Sequence, residues 1–443
     1  MATLEEALAK IAELEKLTQA QQKRIEELEA RLHIYENSHV PSSKRIIREE
    51  KVTESPPKKR GAPEGHTGAT RQTPIPDEII DLKPKKCTCG CKNIEILKVH
   101  TKIVEDVEII KRARKFYSYE CHCKGCNKRF ITTHAGFPKE GKFGPNITSL
   151  WQNLHYQGTI PFDRLSTISE NCFGINISPG GLHNVVYRTA GIFQPNFDGI
   201  KRRVAKSKYA RSDETGYPFD GKCSWLWNIS TERDVLVLLR DSRGSKVLKE
   251  VLGDFFDGIL NSDCFSAYSK FKAREYQKCW AHVLGDAKDI GKHSEEGEEL
   301  HRMLSQMFRY ITKIKKKKHE GTPKVKLWMR KAKKKMVSWL DKNWESKAVM
   351  NLVLRMAKYR DHWFTCLKYP FVEPTNNASE RDIRKNVIAR KISGQHRSEL
   401  GRHSREIMMS TILTLKKRDE NPFSFVRSEI EKYNLDSGPP NFG

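Results

Sequence analysis

The stretch from Tyr209 to His282 constrains the fold most, because short apolar runs alternate there with helical segments and close repeatedly on acids. Residues 209–215 read as a first strand that carries Asp213 and Glu214 near its end. Residues 224–229 and 235–239 read as a second and a third strand, and 245–252 as a helix. Residues 258–263 make a fourth strand, again ending on an acid, Asp263. A helix around 267–271 and a fifth strand over 276–282 complete the run. Such an order demands a layered α/β domain, in which the ends of parallel neighbours lie close together and can pool their side chains.

A long, basic helical pattern follows over 285–370, and the chain then stops at Pro374-Thr375-Asn376-Asn377 before a helix that carries Glu380. Asn377 and Glu380 stand at the spacing of a helix N-cap and its capping-box acid. Three strands, a helix, a strand, a helix and a strand, then an insertion and a late acid-bearing helix, is the order of an RNase H-like fold. The predicted class is therefore α/β multidomain, an RNase H-like mixed sheet with a helical insertion. Asp213, Asp263 and Glu380 fall at the ends of strand one, strand four and the late helix. Phosphodiester chemistry needs an activated water or hydroxyl and a stabilised leaving oxygen, and Mg²⁺ (or Mn²⁺) held by hard carboxylate oxygens supplies both.

Charge identifies the partner class. Lys and Arg number 81 against 55 Asp and Glu, a net +26. An excess that large favours a polyanion, since cations displace condensed counterions from phosphates. The excess is clustered over 44–71, over Lys313 to Lys335, and after Glu380. Within the first cluster, Lys59 and Arg60 lead into a Gly- and Pro-rich arm suited to lie along DNA.

The amino-terminal third is built differently. Leu4, Ile11, Thr18, Ile25 and Leu32 form one heptad seam and Ala7, Leu14, Gln21, Leu28 and Tyr35 the other, which predicts a short coiled coil and self-association. Cys87, Cys89 and Cys91 precede Cys121, Cys123 and Cys126, with strand-like alternation over 103–110 and 116–119 between them. Two cysteine knuckles on a hairpin predict a zinc-ribbon-like module holding structural Zn²⁺. Cys123 and Cys126 form its tidy half; Cys87 and Cys89 form the other, with Cys91 or Cys121 as substitutes. Clustered cysteines without a leader or a spanning run of about 20 apolar residues predict a reducing cytoplasm and metal ligation, with no membrane partner.

These residues together carry a resemblance. Asp213-Glu214-Thr215, Trp225-x-Trp227, Ser262-Asp263 with Ala267-Tyr268, Cys279-Trp280-Ala281-His282, Asn376-Asn377-Ala378-x-Glu380-Arg381 and Arg390-Lys391 resemble, in order, transposases of the insertion-sequence-66 family. The amino-terminal helix, the 37–43 segment, the Gly-His-x-Gly at 65–68 and the cysteines are similar to it too. Cys264-Phe265 stands where the family has Gly-Tyr, and Val283-Leu284 where it has arginines. The resemblance implies a DDE transposase that cuts element ends and joins the 3′-OH to target DNA. Asp213, Asp263 and Glu380 would be its metal triad, and Arg381, Arg384, Lys385, Arg390 and Lys391 its phosphate contacts near that site. Its partners would be double-stranded DNA, a second copy or more of itself, and companion proteins of the element, in a prokaryotic cytoplasm at the nucleoid. The expected division is 1–36 coiled coil, 37–82 basic arm, 83–135 zinc-ribbon-like module and 136–204 helical DNA-binding unit. After these come 205–290 first catalytic part, 291–370 insertion, 371–415 Glu-bearing part and 416–443 tail.

Overall fold

A computed structural model describes residues 18, 19, 21, 22, 74–86 and 88–436. The chain divides into two compact units, Met1–Ile110 and Lys111–Gly443, each described by itself. In the first, the heptad seams lie outside the described residues except Thr18 and Gln21, which are helical and exposed. Lys59, Arg60 and Cys87 also lie outside them. Residues 103–110 form no strand, although their apolar side chains alternate. Alternation predicts a strand only where a neighbouring strand takes up the backbone hydrogen bonds, and the Val107 N–H is taken locally by the Asp106 carboxylate at 2.8 Å.

The second unit opens with a small antiparallel ladder, β1 (Glu120–His122) with β2 (Arg129–Ile131). Four helices follow: α1 (Pro145–Tyr156), α2 (Phe162–Phe173), α3 (Pro179–Gly191) and α4 (Gln194–Ala205). The main sheet contains β3 (Tyr209–Gly216), β4 (Trp225–Ser230), β5 (Val235–Arg240), β6 (Phe255–Ser262) and β7 (Lys272–Lys278), in the order β5-β4-β3-β6-β7. β3 and β5 run antiparallel to β4, while β6 is parallel to both β3 and β7. Helices α5 (Lys246–Leu252) and α6 (Ser266–Lys270) connect the strands.

The fifth strand differs from expectation. It starts at Lys272 and ends at Lys278, and Trp280–Gly291 is helix α7, so Cys279 to His282 form a helix start. The apolar residues there are buried for another reason: Trp280 packs with Trp363 and Phe364, and its indole donates to the Trp363 carbonyl at 2.7 Å. The expected helical insertion is present as α7, α8 (Glu295–Lys317), α9 (Pro323–Ser338) and α10 (Lys347–Lys358), with a core around Leu304, Met336, Val353 and Trp363 that also takes in Tyr209 and Ile259 of the sheet. α8 and α9 bury Ile311, Ile314, Val325, Met329 and Met336 and turn most of the lysines of 313–335 to solvent.

The chain then returns to the sheet as α11 (Asn377–Ser393), α12 (Glu399–Lys417) and α13 (Pro422–Asp436). β5 is an edge strand with a continuous apolar run, which needs cover on both faces. α12 covers it and also completes its hydrogen bonding: Val235, Val237 and Leu239 donate their N–H groups to Thr414 Oγ1 at 3.0 Å, Ser410 Oγ at 2.8 Å and Glu406 Oε1 at 2.7 Å. The match is metric. Four helical residues rise about 6 Å and two strand residues about 6.6 Å, so side chains at a spacing of four meet alternate strand amides. Val426 and Ile430 of α13, in the segment expected as a tail, enter the same core as Trp151 and Leu182.

Candidate active site

The sheet register assembles the acids. Arg211 of β3 lies opposite Asn261 of β6 in parallel pairing. Carried two residues further, the same register sets Asp213 beside Asp263, across the inter-strand spacing of about 4.8 Å. Both are buried. The Asp263 carboxylate accepts the Phe265 N–H at 2.9 Å, which fixes it at the turn into α6.

Glu380 arrives from α11 through buried polar contacts. Asn376 donates its side-chain amide to the Ser212 carbonyl at 2.9 Å, and Asn228 of β4 donates to the Ser379 hydroxyl at 2.7 Å. Asn261 donates to the Glu373 and Thr375 carbonyls at 3.0 and 3.1 Å, holding the approach to the helix. The N-cap position is Asn376, one residue before the expected Asn377, and no side chain caps it. The Asn376 side chain is turned across the fold instead, where its amide nitrogen donates to β3. Glu380 therefore lies in the first turn, with 44% of its side chain exposed and its carboxylate 3.8 Å from His282 Nε2.

Electrostatics report the convergence. Burial, then the charges of Glu214, Asp263 and Glu380, push the Asp213 carboxyl well above the usual range, against an opposing effect of His282. Glu214 is raised to about 7, by burial first and then Asp263, although Tyr268 and Arg243 both donate to it. Burial disfavours a charged His282, but its hydrogen bond with Cys279 and the charges of Asp263 and Glu380 outweigh that and hold it at about 10. Lys278, also buried, donates to the Asp263 carbonyl at 2.6 Å and the Ser262 hydroxyl at 3.0 Å.

Asp213, Asp263 and Glu380 offer hard oxygen donors, near enough for the charges of Asp263 and Glu380 to act on Asp213, whose charged form burial also disfavours. A divalent cation would relieve the penalty on Asp213, and oxygen donors of this kind suit Mg²⁺ or Mn²⁺, although the ligand atoms of the three do not all lie within 4.8 Å of one another. Along α11, Arg384 and Lys391 follow Glu380 at spacings of four and eleven and share its face. Both are exposed, as is Arg381; Lys385 and Arg390 are half-buried, and Arg390 donates to Thr215 Oγ1 at 3.4 Å. Glu214, Lys278, Cys279 and His282 joined the site without being singled out as candidates. Only the spacing of Cys279 and His282 could have indicated the last two, had 279–282 been read as helix.

The cysteines fall in both units. Cys89 and Cys91 are exposed in the first. In the second, the turn joining β1 and β2 points the Cys126 and Gly125 N–H groups at Cys123, and these lower its thiol pKa. Cys121 and Cys126 flank it, and His122 is occupied by Asn127 at 2.7 Å. Among the described residues no helix is long and apolar enough to cross a membrane.

Comparison with known proteins gives two findings. Residues 140–404 match the family model described as "Transposase IS66 family". An uncharacterized protein, y4hP of Sinorhizobium fredii, is 24% identical over 418 residues, which covers 82% of this chain and 75% of that protein.

Proposed function

The chain belongs to the IS66 family of transposases, and we propose that it acts as a DDE transposase on an RNase H-like core. The sheet order β5-β4-β3-β6-β7, with two antiparallel strands and then two parallel ones beside β3, supports that fold. The register that sets Asp213 beside Asp263, with Glu380 close enough for its charge to act on Asp213, carries the catalytic reading. When bound, Mg²⁺ or Mn²⁺ would activate a water or a 3′-OH and stabilise the leaving oxygen. Asp213, Asp263 and Glu380 would hold it.

The chain's own contribution is positioning. Asn376, Asn228 and Asn261 hold the Glu380 turn against the sheet, and Lys278 holds the Asp263 backbone. Arg381, Arg384, Lys385, Arg390 and Lys391 would bind backbone phosphates of double-stranded DNA along α11. Cys123 and Cys126, with Cys87 and Cys89, would hold structural Zn²⁺. The heptads at 4–35 would join copies of the chain.

The test is Mg²⁺-dependent cleavage of the element's own ends. Asp213→Ala, Asp263→Ala and Glu380→Ala should each lower the rate at least about a hundredfold, the scale of losing one transition-state stabiliser. Wild-type rates in any of the three would overturn the assignment.

A further inference from the structure

We propose that Cys279, His282 and Glu380 form a second metal site, one that takes a thiophilic divalent cation such as Zn²⁺. A sulfur, an imidazole nitrogen and one carboxylate select a softer ion than the all-oxygen set beside them. Cys279 is the N-cap residue of α7 and His282 lies three residues on, so both face the same side of its first turn. The two are hydrogen-bonded to each other.

Their placement is fixed from both sides. The Cys279 N–H donates to the Ser262 carbonyl at 2.9 Å, and the Trp280 N–H to the Pro374 carbonyl at 3.0 Å. The Asn376 N–H points at the Cys279 sulfur at 3.1 Å. The same residue whose side chain pins α11 to β3 thus orients the sulfur through its backbone. One ligand atom from each of Cys279, His282 and Glu380 falls within 4.8 Å of the other two. Donors around a tetrahedral Zn²⁺ stand roughly 3.3–3.6 Å apart. Rotation of His282 and Glu380 closes that difference, and their side chains, 27% and 44% exposed, give the ion an entry path and leave a fourth position to water. Coordination releases the Cys279 thiol proton and any proton on the coordinating His282 nitrogen, with no change of oxidation state.

A cation held here draws Glu380 away from Asp213 and Asp263. That consequence rests on the catalytic reading of Glu380 given above, whereas the site does not. A thiophilic metal would then hold DNA processing off, and its removal would restore it.

The experiment is a Co²⁺ titration of the full chain without DNA, read by metal stoichiometry and by thiolate-to-cobalt charge-transfer absorption. Cys279→Ser should bind one cobalt fewer per chain than wild type and lose part of the absorption. The cysteines at 87–126 contribute equally to both proteins and cancel. His282→Cys should keep the stoichiometry and gain absorption, an outcome that misfolding does not produce. Equal stoichiometry and equal spectra in wild type and Cys279→Ser would overturn the proposal, as would loss of the equivalent in His282→Cys. Because no DNA is present, failure here and failure of the end-cleavage assay are separate results.

Discussion

Asn376 shows how much a single buried amide decides. It is fully buried, and its side chain donates to β3 while its backbone N–H meets Cys279. Replacing it with Ala leaves the Ser212 carbonyl without this donor and costs about 1–3 kcal/mol. It also frees the Glu380 turn, so cleavage should fall further than stability does. Thermal unfolding and the initial cleavage rate, measured on the same preparation, check both; an unchanged rate would remove Asn376 from the positioning role. A second residue effect is pH-dependent. His155 is held at about 3 by burial, and by Arg405 beside it, while its Nδ1 shares a hydrogen bond of 3.0 Å with the Ile160 carbonyl. The folded imidazole stays neutral down to about pH 3 and the unfolded one takes a proton below about 6.5. Stability is therefore intact above pH 6.5 and is lost as pH falls toward 3, by about 1.4 kcal/mol per pH unit for this group. Urea midpoints at pH 7.5 and 5.5 should separate less in His155→Phe than in wild type. Asp263 was legible because β6 ends one residue before it, whereas Asp213, expected at the end of the first strand, lies inside β3, which runs on to Gly216 because Asp213 to Gly216 stay paired with β4. The cap at Asn376 was not legible, since its amide bonds to β3, more than 160 residues earlier in the chain.

Among the elements, α12 and β5 make the closest dependence. The Ser410 hydroxyl accepts the Val237 N–H at 2.8 Å and lies 3.4 Å from the Val237 carbonyl, standing in for a neighbouring strand. Ser410→Ala should cost about 1–3 kcal/mol, the penalty of an unpaired buried amide. Ser410→Thr keeps the hydroxyl and should lose less of that bond. Comparing the thermal midpoints of the two variants checks the claim; equal midpoints would show that the edge needs no partner. A propensity reading assigns both elements correctly and still misses this pairing. Buried Ser410 and Thr414 look like weak helix formers until the edge strand lies beside them. The opposite error occurred at β7, whose Lys272–Lys278 sequence is polar at its exposed start, Lys272 and Arg274, and also at its buried end, where Gln277 and Lys278 are hydrogen-bonded. The apolar signal belonged to Trp280, which the insertion buries, so the expected strand over 276–282 lay four residues too far toward it.

At the scale of the whole molecule, charge and topology answer different questions. The order of strands and the late Glu-bearing helix were legible because local pattern sets them. The convergence of Asp213, Asp263 and Glu380 depends on one register and a few long-range amides, which no window of sequence contains. The net charge of +26 says nothing about the fold but does predict how binding responds to salt. Each phosphate neutralised by the protein contributes about −0.9 to the slope of log affinity against log salt. Arg384 and Lys391 lie on the Glu380 face of α11 and are exposed, so both should touch phosphate when DNA crosses the site. Changing both to Gln should therefore make the slope about 1.8 shallower while leaving the unfolding free energy within about 0.5 kcal/mol of wild type, as for surface substitutions. Fluorescence anisotropy of labelled element-end duplexes between 50 and 200 mM salt (roughly the range over which counterion release is felt) measures it. An unchanged slope would move the DNA off α11 and onto another basic face, with the solvent-facing lysines of α8 and α9 the next to test.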